Sequence, residues 1–217
     1  MRSFAIIILA CGSAAALVGA AADAAPEAGL SANTWQLDFA FRDPQRFSIR
    51  LPGDAADTTY WYMLYVVTNN TGRDVMFYPS FRIVTDRLQV VEAGANIHPR
   101  VYDAIAARHK KDHPFFAPPS KVTGLLLQGE DNARTSAAVF RAFDDNVDAF
   151  RVFAAGLSGD VTRVANPGFD PARPESDANP RFFVLRRTLA LSYQLPGDAE
   201  TRSRVAPVRR SRAWVMR

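Results

Sequence analysis

Residues 60–67 read Tyr-Trp-Tyr-Met-Leu-Tyr-Val-Val, and this run narrows the possible folds more than any other stretch of the chain. Aromatic and β-branched side chains suit a pleated, packed surface. In a strand, Tyr60, Tyr62 and Leu64 face one way and Trp61, Met63 and Tyr65 the other. Both faces are apolar, so the run predicts a two-sided, packed central strand. Asn69-Asn70-Thr71-Gly72 follows it, with turn chemistry that tolerates positive φ. Val75 to Thr85 comes next, interrupted by Pro79, so residues 60–79 predict a central hairpin with a surface turn. Asn69-Asn70-Thr71 is also a glycosylation sequon, relevant in a host that glycosylates.

Other segments extend the pattern. Trp35, Leu37, Phe39 and Phe41 alternate with smaller or polar residues, which predicts a half-buried strand, and Phe47 to Leu51 repeats it. Further strands are expected at 88–91, 122–127, 135–143, 150–155, 182–185 and 189–195. Leu51-Pro52-Gly53-Asp54 and Leu195-Pro196-Gly197-Asp198 read as one strand-ending turn used twice. Val101, Tyr102, Ile105 and Arg108 have helical spacing after Pro99, which predicts one short helix over 100–111. Pro114, Pro118 and Pro119 predict an irregular connector, and 160–180 a long surface loop. About eight to ten short strands with one minor helix predict an all-β chain: an antiparallel β-sandwich, immunoglobulin-like, as a single domain over 34–217. A closed barrel is the alternative.

Arg2, the uncharged run Phe4 to Val18 and the small residues ending at Ala24 form a secretory leader over 1–24, followed by a flexible segment over 25–33. The chain is therefore expected to be exported, to the periplasm or beyond. Its one cysteine, Cys11, lies inside the leader. Lipid attachment at Cys11 is the alternative to ordinary cleavage. After cleavage no thiol remains for a disulfide, a thiolate metal site or a nucleophile.

Formal net charge is +4. Arg202, Arg204, Arg209, Arg210, Arg212 and Arg217 lie in the last seventeen residues with no acidic residue among them, leaving the rest of the exported chain slightly acidic. The expected use of Arg202, Arg204, Arg209, Arg210 and Arg212 is a contact with another envelope protein or an anionic polymer, on a basic tail or a closing strand. Specific nucleic-acid recognition is not expected.

Four groups invite chemistry. His109 and His113, four apart, would share a helix face and could hold a metal ion with Asp112 or His98, although Lys110 and Lys111 oppose a cation. Asp144, Asn146 and Asp148 have calcium-loop alternation but lack the later glycine and acidic ligand of an EF-hand. Glu130-Asp131 with Asp144-Asp145 could form a glycosidase pair. Tyr60, Trp61, Tyr62, Tyr65, Phe77 and Tyr78 could line a carbohydrate platform. The sequence holds no nucleophile elbow, phosphate loop or dinucleotide fingerprint, and no cofactor is expected.

Trp61 to Gly72 with Phe77-Tyr78-Pro79-Ser80-Phe81 resembles the strand-turn-strand of exported bacterial immunoglobulin-like domains. With Val139 to Asp144 and Phe150 to Gly159, the chain resembles uncharacterised exported immunoglobulin-like β-sandwich proteins of planctomycete-type bacteria. That resemblance implies a sandwich and export, and brings no activity or catalytic residue. The leading expectation is a non-enzymatic structural or interaction module of the periplasm or cell envelope. A carbohydrate- or metal-ion-binding protein comes second and a carboxylate-based hydrolase third.

Overall fold

The computed structural model describes residues 34–198 and 200–217. The leader expected over 1–24, Cys11 and the segment 25–33 lie outside the described residues. In chain order the strands are β1 (Asp38–Phe41), β2 (Gln45–Ile49), β3 (Thr58–Asn69), β4 (Val75–Phe77), β5 (Ser80–Thr85), β6 (Val90–Glu92), β7 (Gly124–Leu126), β8 (Gly129–Arg141), β9 (Ala149–Ala155), β10 (Val161–Ala165), β11 (Phe182–Gln194) and β12 (Val208–Met216). Two helices, α1 (Pro99–His109) and α2 (Pro119–Val122), lie between β6 and β7. The chain is all-β in class, and its ladders are antiparallel.

β3 is the centre of the first sheet. β8 pairs along one of its edges, while β1 and β2 share the other. Phe41 lies opposite Tyr65 and Gln45 opposite Tyr62, so the register slips by one residue across 42–44. Pro44 sits in that slip, where its missing N–H breaks no ladder. The second sheet runs β6-β5-β9-β11, with β12 on the far edge of β11. β10 continues along the edge of β11 that β9 occupies, extending the sheet as a two-stranded ribbon.

The pleat explains how the sheets meet. Trp61, Met63, Tyr65 and Val67 of β3 join Phe81 and Ile83 of β5, Phe150, Val152 and Ala154 of β9, and Leu189, Leu191 and Tyr193 of β11 in one buried cluster. On the other face of β3, Tyr60, Tyr62 and Leu64 pack with Ala137 and Val139 of β8 under Val101 and Ile105 of α1. The helix therefore covers the outside of the first sheet, and β3 is buried on both faces as its composition predicts. Gly156 lets the chain leaving β9 pass the Tyr78 carbonyl, with which a Cβ would collide. Gly53 and Gly197 both have φ of 92°, so the repeated Pro-Gly motif makes the same kind of left-handed turn twice.

Several expectations need correction. β3 and β4 do not form a hairpin: β3 pairs with β8, and β4 pairs with β7. Pro79 divides the expected arm 75–85 into β4 and β5, which belong to different sheets. Asn69 is fully buried, so its half of the turn is not a surface feature. Its amide nitrogen donates to the carbonyls of Arg73 and Leu126, at 2.8 Å each, and its Oδ1 accepts from the Thr71 amide and hydroxyl. Every polar function of Asn69 is used within the fold, which removes it as an accessible glycan acceptor. α1 begins at Pro99 and ends at His109, two residues before the expected limit. α2 takes Val122 from the expected strand. β10 lies inside the expected loop, and the two strands expected after it are one. The C-terminal alternative resolves as a strand, β12.

Candidate functional site

The first sheet has its outer face covered by α1, whereas the second leaves its outer face open. Residues that alternate with the core positions point there: Ser80, Arg82 and Val84 from β5, Arg151 and Phe153 from β9, Arg186, Thr188 and Ser192 from β11. Arg210 and Arg217 from the β12 end complete the face. Two depressions lie on it, of about 540 and 210 Å³, and both are lined by Phe153 and Arg217. The Arg217 guanidinium stacks on the Phe153 ring, 4.0 Å from its centroid.

Charge on this face is poorly compensated. Arg82 pairs with Glu92 at 2.6 Å, and Arg210 donates to Gln194 Oε1 at 2.9 Å. Among the described residues, no carboxylate forms an ion pair with Arg151, Arg186 or Arg217. Burial, and then the neighbouring Arg82, lower the Arg217 pKa from its ordinary value. A sheet face with three guanidinium groups that have no carboxylate partner can hold an anion through charge-assisted hydrogen bonds.

The arginines expected to act together are separated by β12. Arg202 is held by Asp148 and the Gly197 carbonyl. Arg204 lies in an exposed 3-10 turn. Arg209 reaches Asp43 at 3.5 Å, and both Arg209 and Arg212 lie over Phe41. Only Arg210 of that set lines the open face. Sequence reasoning missed Arg82, Arg151 and Arg186, whose strand alternation with Phe81, Ile83, Phe150, Val152 and Leu189 was the available signal.

The other sequence candidates separate as well. His109 is buried, with Nε2 2.9 Å from the Tyr62 hydroxyl. Tyr62 gives its single proton to Gln45, so it accepts from His109 Nε2–H. The His113 ring lies 6.3 Å from that of His109, Asp112 turns to Arg42, and His98 caps the opposite end of α1. Asp144 accepts from the Asn146 amide and side chain, Asp145 binds Arg46, and Asp148 binds Arg202. Among the described residues no cluster of three or more metal-ligating side chains forms. Glu130-Asp131 begins β8 and Asp144-Asp145 follows its end, so roughly 30 Å of extended chain separates them, too far for the expected carboxylate pair. Tyr60, Trp61, Tyr62, Tyr65 and Phe77 are buried and only Tyr78 is exposed, so the aromatic platform does not form.

Burial, followed by Arg42, Arg108 and His113, lowers the His109 pKa, while Asp112 opposes the shift. An unfolded histidine titrates at about 6.5, so below that pH the unfolded chain takes up a proton that folded His109 resists. The His109 contribution is therefore present above that pH and is lost as pH falls through the folded pKa. Urea midpoints are expected to decline between pH 7.5 and 5.5, and His109→Gln is expected to flatten the decline. An equal decline in the variant would assign it to other groups.

A scan against family models gave no match, and comparisons with curated proteins and with solved structures gave none.

Proposed function

We propose that the chain is an exported, immunoglobulin-like β-sandwich acting as a non-enzymatic interaction module of the periplasm or cell envelope, which takes an anionic partner onto the open face of its second sheet. The carrying observation is the placement of Arg151, Arg186 and Arg217 on that face with no carboxylate ion-paired to them among the described residues. Strand order supports the immunoglobulin-like part: β1/β2-β3-β8 faces β6-β5-β9-β11, so the chain crosses between sheets after β3, β6 and β8. The leader sequence supports export.

The test is binding of dextran sulfate by calorimetry at low and high salt. Affinity is expected to fall with salt, as for a solvent-exposed cationic face. The triple variant Arg151→Ser, Arg186→Ser, Arg217→Ser is expected to lose roughly tenfold or more in affinity with its fold retained. Arg209→Ser with Arg212→Ser, on the Phe41 side, is expected to bind as the parent does. Equal losses in the two variants would reduce the effect to net charge and overturn the assignment.

A further inference from the structure

The two depressions on the open face differ in chemistry, and the difference defines a ligand. The smaller carries Arg82, Arg186 and Arg217 with Ser80, and Thr188 borders it with its hydroxyl donated to the Arg186 carbonyl. The larger has Val84, Leu88, Ala149 and Phe153 as its apolar side chains, and Arg151 and Arg210 also border it, with Asp86 at its edge held by the backbone amides of Asp148 and Ala149. Phe153 and Arg217 belong to both, so one ligand can run from the cationic end into the apolar one.

Leu88 is the second, independent observation. It sits in the β5–β6 turn with φ of 60°, in the left-handed region that glycine or asparagine usually fills. Its side chain is 84% exposed, so it contributes almost nothing to the core. Backbone preference disfavours a leucine there, and burial offers no compensation within the protein. Its place beside the larger depression gives the side chain a use that the free chain does not show.

We propose, building on the anion-binding reading above, that the face binds an anionic amphiphile, with a phosphate- or carboxylate-type head among Arg82, Arg186 and Arg217 and an aliphatic chain in the groove beside Leu88. A polyanion alone has no use for the apolar groove, and a neutral lipid has none for the arginines. The larger depression, at about 540 Å³, falls in the range of small-ligand sites.

Calorimetry below micellar concentrations with n-dodecyl phosphate, inorganic phosphate and n-dodecyl maltoside tests the proposal. Dodecyl phosphate is expected to bind roughly tenfold or more tightly than inorganic phosphate, since burying even a few methylenes supplies that factor, and more tightly than the maltoside, which has the same chain but no charge for the arginines. Leu88→Gly is expected to weaken dodecyl phosphate several-fold, leave dextran sulfate binding unchanged and keep or raise the melting temperature. Arg186→Ser with Arg217→Ser is expected to weaken both ligands. Dodecyl phosphate no tighter than inorganic phosphate, or no tighter than the maltoside, overturns the amphiphile, as does an unchanged affinity in Leu88→Gly. If dextran sulfate still binds through the open face, the anion-binding reading survives that failure; if it does not, both fall.

Discussion

Trp61→Ala is expected to cost about 3–5 kcal/mol of folding stability, read as a lowered urea midpoint with an unchanged slope. Trp61 is 1% exposed in the first half of the strand on which the first sheet is built. Its ring lies parallel to that of Phe143, with centroids 5.4 Å apart, and 5.6 Å from that of Phe150 in the opposite sheet. Removing it opens a cavity between the sheets, where close packing allows little collapse. It also strips the surface beneath Arg46, whose guanidinium carbon lies 4.7 Å from the ring centroid. Nη1 of Arg46 reaches Asp145 at 3.0 Å, but Nε and Nη2 are buried without partners, so the stacked ring is a main neighbour of that cation. Trp61→Phe keeps an aromatic surface and is expected to cost less than half as much. A loss below about 1 kcal/mol in Trp61→Ala would contradict the central place of this side chain.

The same strand shows what local pattern encodes and where it stops. Alternation along 60–67 fixes which side chains share a face, because the pleat has a period of two. It does not identify what covers each face. Here one side receives the second sheet and the other receives α1, whose Val101, Ile105 and His109, spaced four apart, form its buried stripe. The hairpin reading failed for a related reason. Asn69 to Gly72 has hairpin chemistry, but the Asn69 side chain is spent tying the turn to Leu126 in β7. That tie joins residues 57 positions apart and has no signature in a local window. β10 was hidden because residues 160–180 are rich in turn formers, although five of them pair with the start of β11. Arg186 and Arg187 interrupt the apolar run between 185 and 189. Arg187 stays in the strand because it donates to Gln36 at 2.7 Å and stacks over Trp214, two contacts supplied by distant segments.

The candidate site was less legible than the fold. A run of charge draws attention when it is contiguous, as in the C-terminal arginines. A sheet face instead gathers single arginines from separate strands, here Arg82, Arg151 and Arg186. Their only shared trait is an outward position beside a core residue. Conversely, contiguity misled at the C-terminus, since a strand sends neighbours to opposite faces and the bulge beside Tyr193 changes the pattern again. Arg209 and Arg212 consequently meet Phe41, and Arg210 meets Gln194.

Deleting residues 208–217 is expected to remove at least about 4 kcal/mol of stability, or to prevent cooperative folding, because β12 belongs to the structure and is not an appendage. It pairs with β11 from Arg187 to Gln194, and its loss leaves a long unpaired edge beside core residues Leu189, Leu191 and Tyr193. Trp214 packs against the core and under Arg187, a buried cation that would lose its aromatic surface. Arg209 would also be lost from Asp43, which accepts the Tyr193 hydroxyl at 2.8 Å. By contrast, Arg209→Ser with Arg212→Ser removes exposed charge while keeping the strand, and is expected to cost about 1 kcal/mol or less. A thermal melt of the three proteins separates backbone pairing from charge. A truncated chain melting at the parent temperature would return the segment to the status of a basic tail, whereas a large loss with truncation and a small one with the double variant places its contribution in the ladder and in Trp214.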